Sequence, residues 1–257
     1  MNQERIRALT TRTAAVAALA MGYAAPLCGQ TTVLRLMPAE GQVSRYLIDS
    51  ETSMAGMIVS TSTRYQTETV VRAADDVIEI RTVVDSTAMT AAMPGAGGPD
   101  LSGMSYTFAM NPRARVTALT DAGTLSPEAE AVVSAMMRGS FFELPGGEVS
   151  PGDSWSGQTT TEIPAGLGGT MTMETDVAYT LVGLDGDLAE ISLEGTVTMS
   201  GTTGGMPVEG SGPVSGTAIF DVGGSRLQGH DSVINLDLTV SGMPAAMTTS
   251  TTLELIG

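Results

Sequence analysis

The chain is short of the residues from which active sites are usually assembled. Its 257 residues include one cysteine, one histidine and one tryptophan, and all 12 basic residues are arginine, with no lysine at all. Set against 28 acids, this leaves a formal net charge of −16 and no cationic footprint for a nucleic-acid backbone, so nucleic acid is excluded as a partner. A single histidine removes multi-histidine zinc sites and paired histidine catalysis. No G-x-S-x-G stands in a strand-to-helix setting, so the serine-hydrolase elbow is missing as well. No stretch reaches the roughly 18 uninterrupted apolar residues of a transmembrane helix. Aromatic residues make up 4% of the chain, which leaves the core without its usual bulky filler.

What is present points to an exported, folded protein. Hydrophobic residues at 42% against 16% charged lie far from the composition of disordered chains. Arg5, Arg7 and Arg12 form a positive n-region before the apolar run Thr13 to Leu27, the pattern of a secretory signal peptide. Residues 1–30 are therefore expected to be removed, after Ala24 or after Gly29, and the mature protein to be periplasmic or secreted. Cys28 does not suit lipoprotein anchoring, because Ala25 stands where a lipobox needs leucine and bulky Leu27 where it needs a small residue. Cleavage after Gly29 leaves no cysteine, and with it no disulfide, thiolate metal site or cysteine nucleophile.

The rest reads as β-strands. From Met171 to Leu181, Met171, Met173, Val177, Tyr179 and Leu181 share one face, while Thr172, Glu174, Asp176 and Thr180 share the other. Ile191, Leu193, Val197 and Met199 continue the alternation beyond a hairpin signal at Asp185-Gly186. Further strands are expected at Val43 to Ser53, Met57 to Arg72, Val77 to Ala88, Ser105 to Met110, Arg113 to Thr120, Ser154 to Ile163, Thr217 to Val222, Ser225 to Ser241 and Met247 to Ile256.

A shift of 111 residues aligns TVVRAADDVIEI (Thr69 to Ile80) with TLVGLDGDLAEI (Thr180 to Ile191), and pairs Gly41 with Gly152 and Arg115 with Arg226. Near that shift Tyr46 answers Trp155, and the loop Met93 to Pro99 answers a loop Met206 to Pro213. The pattern is that of an internal duplication. The expected fold is mainly β: duplicated antiparallel curved sheets, about five strands per copy, with one short helix between the copies. Its units are the signal peptide 1–30, repeat A 31–125, helix and connector 126–144, and repeat B 145–257. Ser126 caps that helix, Pro127 takes its first position, and Glu128 and Glu130 complement its positive end. Its apolar stripe, Val132, Val133, Met136 and Met137, is followed by Phe141, Phe142 and Leu144, and it is expected to close an open edge or face of a sheet.

The segment FFELPGGEVSPGDSW (Phe141 to Trp155), with the capped helix before it and a strand pair behind, resembles the central motif of an uncharacterised family of exported β-rich bacterial envelope proteins. That resemblance implies an envelope protein with a signal peptide and carries over no catalytic or binding residue. In architecture alone, a curved antiparallel sheet under a helix is similar to the lipoprotein carriers that shelter acyl chains.

Each candidate for chemistry has a plainer reading. His230 sits beside Asp231, but neighbours on a strand point to opposite faces, so the carboxylate cannot orient the ring. Asp75-Asp76 and Asp185-x-Asp187 suit hairpin turns better than calcium, which needs six or more oxygens. The 17 methionines suit irregular core gaps better than copper(I). Trp155, Tyr46, Tyr65, Tyr106 and Tyr179 are spread along strands as core anchors. No catalytic, cofactor-binding or metal residue is assigned, and no ligand-binding residue is named. The expected function is a non-catalytic binding module for a hydrophobic or amphipathic ligand, a lipid or envelope component. The alternative is a structural or protein-interaction module with a filled core, and a continuous apolar pocket of at least roughly 300 Å³ separates the two.

Overall fold

The computed structural model describes residues 31–92, 100–138, 142–164 and 168–257. The expected signal peptide, the loop Met93 to Pro99, Phe141 and the side chains of Glu128 and Met136 lie outside the described residues. Residues Thr31–Gly257 form one compact unit. Its elements are β1(Thr32–Val33), β2(Val43–Met54), β3(Met57–Ala73), β4(Ile78–Ala91), β5(Ser105–Met110), β6(Val116–Asp121) and the helix α1(Pro127–Arg138). There follow β7(Glu148–Val149), β8(Ser154–Pro164), β9(Thr170–Asp185), β10(Leu188–Thr203), β11(Met206–Asp221), β12(Arg226–Val240) and β13(Met243–Leu255).

Eleven strands make one antiparallel sheet in the order β6-β5-β4-β3-β2-β13-β12-β11-β10-β9-β8. Each neighbour follows its neighbour in sequence except at one place, where β2 and β13 pair with Ile48 opposite Leu253. The fold is therefore mainly β, with a single large antiparallel sheet. β1 and β7 add a small two-stranded ribbon, pairing Thr32 with Val149.

Both long strands read from alternation point as expected. Val177, Tyr179 and Leu181 of β9 and Ile191, Leu193 and Val197 of β10 are buried, while Glu174, Asp176 and Glu190 are exposed. Two core clusters lie inside the curve. One gathers Phe142, Leu144, Tyr179, Ile191, Leu193 and Phe220, and the other Val70, Ile78, Ile80, Phe108, Ala129 and Val133. Full burial of each valine, leucine, isoleucine or phenylalanine among them is worth about 1.5–3 kcal/mol.

The helix holds the position its sequence suggested. The Ala129 amide donates to the Ser126 hydroxyl at 3.2 Å, the N-cap bond. Packed against both β6 and β8, α1 spans the gap between the two edge strands of the sheet. An edge strand exposes a row of unpaired peptide groups, and here one helix covers two of them. Val133 is buried, Val132 is half-buried, and Met137 packs against the same cluster as Val133.

Several sequence expectations need correction. Met206 to Pro213 is not a loop but the first half of β11, a strand inside the sheet. Its glycines signal close approach instead of a turn: a Cβ on Gly212 would stand 1.8 Å from the Asn235 carbonyl oxygen of β12. The β9–β10 turn is centred one residue later than expected, on Gly186 and Asp187. Arg113 to Arg115 belong to the turn before β6, where the Arg113 and Arg115 amides both donate to the Asn111 side chain. Tyr46 is not the counterpart of Trp155. By register Ser44 stands opposite Glu68 and Trp155 opposite Tyr179, so the 111-residue shift sets Ser44 against Trp155 and Tyr46 against Gly157.

The same shift relates backbone detail. In β3–β4, Val70 faces Ile80 and Arg72 faces Glu79 across a bulge at Val71; in β9–β10, Leu181 faces Ile191 and Gly183 faces Glu190 across a bulge at Val182. The Gly41 amide donates to the Val70 carbonyl at 2.8 Å, and the Gly152 amide to the Leu181 carbonyl at 2.7 Å. Even the side chain that closes the preceding turn recurs, with the Ala39 amide donating to Gln42 Oε1 and the Ser150 amide to Asp153 Oδ2.

Candidate functional site

The half of the sheet made by β2–β5 forms one wall of an open cavity of about 310 Å³. Period-two alternation puts its wall residues on one face: Ser44, Tyr46 and Ile48 from β2, and Arg64, Gln66, Glu68 and Val70 from β3. Ile78 and Ile80 of β4 and Tyr106 and Phe108 of β5 extend this wall, and Val133 and Met137 of α1 also line the space. Phe220, Arg226 and Leu227 line it too, so the sheet curls far enough for β11 and β12 to face β3.

Most of this lining is apolar, with one polar stripe. Ser44, Glu68, Thr82 and Tyr106 stand in register across β2, β3, β4 and β5. Gln66, buried in the adjacent row, donates from Nε2 to Glu68 Oε1 at 2.8 Å. Burial pushes the Glu68 carboxyl up to about 7, partly opposed by the Gln66 bond and the Arg64 charge. Burial, reinforced by the neighbouring Glu68, also raises the Tyr46 phenol, and burial raises Tyr106. Arg64 Nε and Gln66 Oε1 are buried without a hydrogen-bond partner. Opposite them, Arg226 forms an ion pair with Asp221, its Nε 3.7 Å from Oδ2, and that Nε too is buried without a hydrogen bond.

The other half is filled where this one is open. A shift of 111 residues replaces Ser44, Gln66, Glu68 and Thr82 by Trp155, Val177, Tyr179 and Leu193. The Trp155 and Tyr179 rings stack at 5.7 Å, and Phe142 meets Tyr179 edge-on at 6.5 Å. The connector supplies this filling: Phe142 and Leu144 are buried, and Trp155 Nε1 donates to the Glu143 carbonyl at 2.7 Å. Glu143 is itself buried and paired with Arg113 at 3.1 Å. Glycine at 157 is what admits this packing, since a Cβ there would lie 2.7 Å from Glu143 Oε2 and 3.2 Å from the Tyr179 ring. Of the segment singled out in the sequence, Phe142, Leu144, Val149 and Trp155 thus pack one half of the interior.

Other sequence candidates fall apart from one another. His230 points inward, its ring 6.5 Å from that of Phe142, and burial lowers its pKa; Asp231 is exposed. Asp75 and Asp76 are exposed in a bend, and among the described residues no group of three or more His, Cys, Asp or Glu could hold a metal ion. No described helix is long and apolar enough to cross a membrane. The cavity residues Arg64, Gln66 and Glu68 were missed in the sequence. Their signal was present as charged and amide side chains on the inward register of β3, at positions where the second hairpin carries Thr175, Val177 and Tyr179. Along the seam between β6 and β8 a polar recess, lined in part by Arg115, Thr159 and Thr160, shares Val116, Met137 and Phe142 with the cavity.

Fold and site together define a class: one curved antiparallel sheet, sealed by a helix at its seam, with one filled half and one hollow half. The family described as "Family of unknown function (DUF6263)" matches residues 129–223, from within α1 to just past β11. No curated protein matches the chain. Among solved structures, a porin variant of Rh. blastica is 11% identical, covering 84% of this chain and 99% of that one with a TM-score of 0.24. A putative AttH from Nitrosomonas europaea is 8% identical, covering 82% of this chain and 92% of that one with a TM-score of 0.17. Scores this low carry no argument about fold or activity.

Proposed function

We propose that this is an exported envelope protein, non-catalytic, that binds a small amphipathic molecule in the cavity of the β2–β5 half. The observation that carries the reading is the contrast between halves. A mostly apolar cavity of about 310 Å³ lies where inward positions are Ser44, Gln66 and Glu68, whereas Trp155, Val177 and Tyr179 belong to a packed cluster bordered at Tyr179 by a polar recess of about 370 Å³. The size is at the lower end for small-molecule sites, and a mostly apolar wall with a few convergent polar groups is their usual composition. A duplication of one five-stranded meander, β2–β6 and β8–β12, supplies the history: one copy stabilises the fold and the other is free to hold a ligand. The repeated bulges at Val71 and Val182 support that duplication.

The test fills the cavity with the other half's residues. Ser44→Trp with Glu68→Tyr should abolish binding of decanol, measured by calorimetry on delipidated protein, while the unfolding transition stays cooperative. Mass spectrometry of material extracted from protein purified out of its native envelope should find a small amphiphile. Decanol binding unchanged in the filled variant would refute the reading and leave the structural or protein-interaction alternative.

A further inference from the structure

The geometry points to a carboxylic acid as the polar end of the ligand, seated between Arg64 and the Gln66–Glu68 pair. This rests on the cavity being a binding site and goes further in naming the head group. Arg64 lines the cavity, its Nε is buried without a partner, and no ion pair to it occurs among the described residues. Two positions along the same face, Gln66 is 6% exposed, and its Oε1 also lacks a partner. A buried donor and a buried acceptor left unmade each carry a desolvation penalty, so an occupant that satisfies both gains more than one that satisfies neither.

A carboxylic acid answers the unmade Arg64 donor and reaches Glu68 with the same group. Its oxygens accept from the Arg64 guanidinium, as charge-assisted hydrogen bonds. The proton between it and Glu68 is shared, because two carboxyls in contact do not both ionise readily. Arg64 with one negative charge spread over two carboxyls leaves the site neutral. An ammonium head would instead meet Arg64 as a like charge, and an alcohol would bring no charge, leaving Arg64 to Glu68, a carboxyl raised to about 7 and so mostly protonated at pH 6. A phosphate dianion beside Glu68 would exceed the charge of Arg64, since the other lining arginine, Arg226, already has its charge matched by the Asp221 carboxylate. The other titratable groups facing Glu68 are Tyr46 on β2 and Tyr106 on β5, both phenols raised by burial, and both stay neutral while Glu68 titrates. The whole cavity, about 310 Å³, has room for about ten water-sized groups, head group included, a medium-length chain.

Calorimetry of the delipidated full chain at pH 6 with decanoic acid, decanol and decylamine tests this. Decanoic acid should bind at least about tenfold tighter than decanol, the factor one charge-assisted bond supplies. Arg64→Met should bring the acid to parity with the alcohol without weakening decanol, and Arg64→Lys should keep the preference. Decanol or decylamine binding as tightly as the acid would overturn the head-group assignment while the cavity reading survived. Should Arg64→Met fail to fold, the ranking of the three probes on the unaltered protein decides alone. No binding by any of the three would overturn the cavity reading and this inference with it.

Discussion

Glu68 and Tyr179 occupy the same register point in two like hairpins, Glu68 opposite Ser44 and Tyr179 opposite Trp155. One is a carboxyl in the wall of a cavity, and the other is a ring stacked on an indole. The backbone around both positions is held by matching bonds, from Gly41 to Val70 and from Gly152 to Leu181. Side-chain volume at these inward positions therefore separates a hollow half from a filled one.

Glu68 makes the stability of the unliganded protein fall with pH. Its carboxyl is raised from 4.5 to about 7 in the folded chain, so the folded state holds a proton that the unfolded state releases earlier. The stabilisation from that proton is complete below pH 4.5 and is lost as pH rises through about 7. Because the carboxyl faces a space that admits water, the effect is put at about 1–2 kcal/mol. Urea unfolding at pH 5 and pH 8 should show it as a difference between two proteins. Glu68→Gln should gain stability relative to the unaltered chain between the two pH values and be the more stable form at pH 8, while His230, lowered by burial, titrates in the opposite sense in both.

Gly157→Ala should destabilise the filled half. The new methyl meets the Glu143 carboxylate and the Tyr179 ring inside normal contact distance, and neither is free to move, since Arg113 holds one and Trp155 stacks on the other. A cost of about 1–3 kcal/mol is expected from overpacking, read as a lower urea midpoint with an unchanged slope.

Ile80→Ala and Ile191→Ala test the equivalence of the two hairpins. Each removes a buried branched side chain, with an expected cost of about 2–5 kcal/mol. Ile80 borders the cavity and is 8% exposed, whereas Ile191 is 0% exposed in the packed cluster. The loss at Ile191 should therefore be the larger in denaturant melts, because more packing contacts are forfeited there.

Val133→Asp distinguishes a helix that is part of the core from one that lies loosely over it. Val133 is 2% exposed and belongs to the cluster of Ile78 and Phe108. A carboxylate there has no partner, so several kcal/mol should be lost and the thermal midpoint should fall sharply. Val132→Asp, on a half-buried position of the same helix, should cost clearly less.

Strand identity and the capped helix were legible in the sequence, because each rests on local pattern. Alternation in β9 and β10 tells which side chains turn inward, and Ser126-Pro127 marks where the helix starts, whatever the rest of the chain does. Glycine misled the reading at β11, since the same residue marks a turn and a close approach, and only the Asn235 carbonyl beside Gly212 distinguishes them. The pairing of β2 with β13, the helix across the β6–β8 gap and the meeting of Arg64, Gln66 and Glu68 with Phe220 and Arg226 were decided by the tertiary structure. These contacts join residues up to about 200 positions apart in the chain, and their partners are chosen by how far the sheet curls, a sum over every strand that no local window of sequence contains.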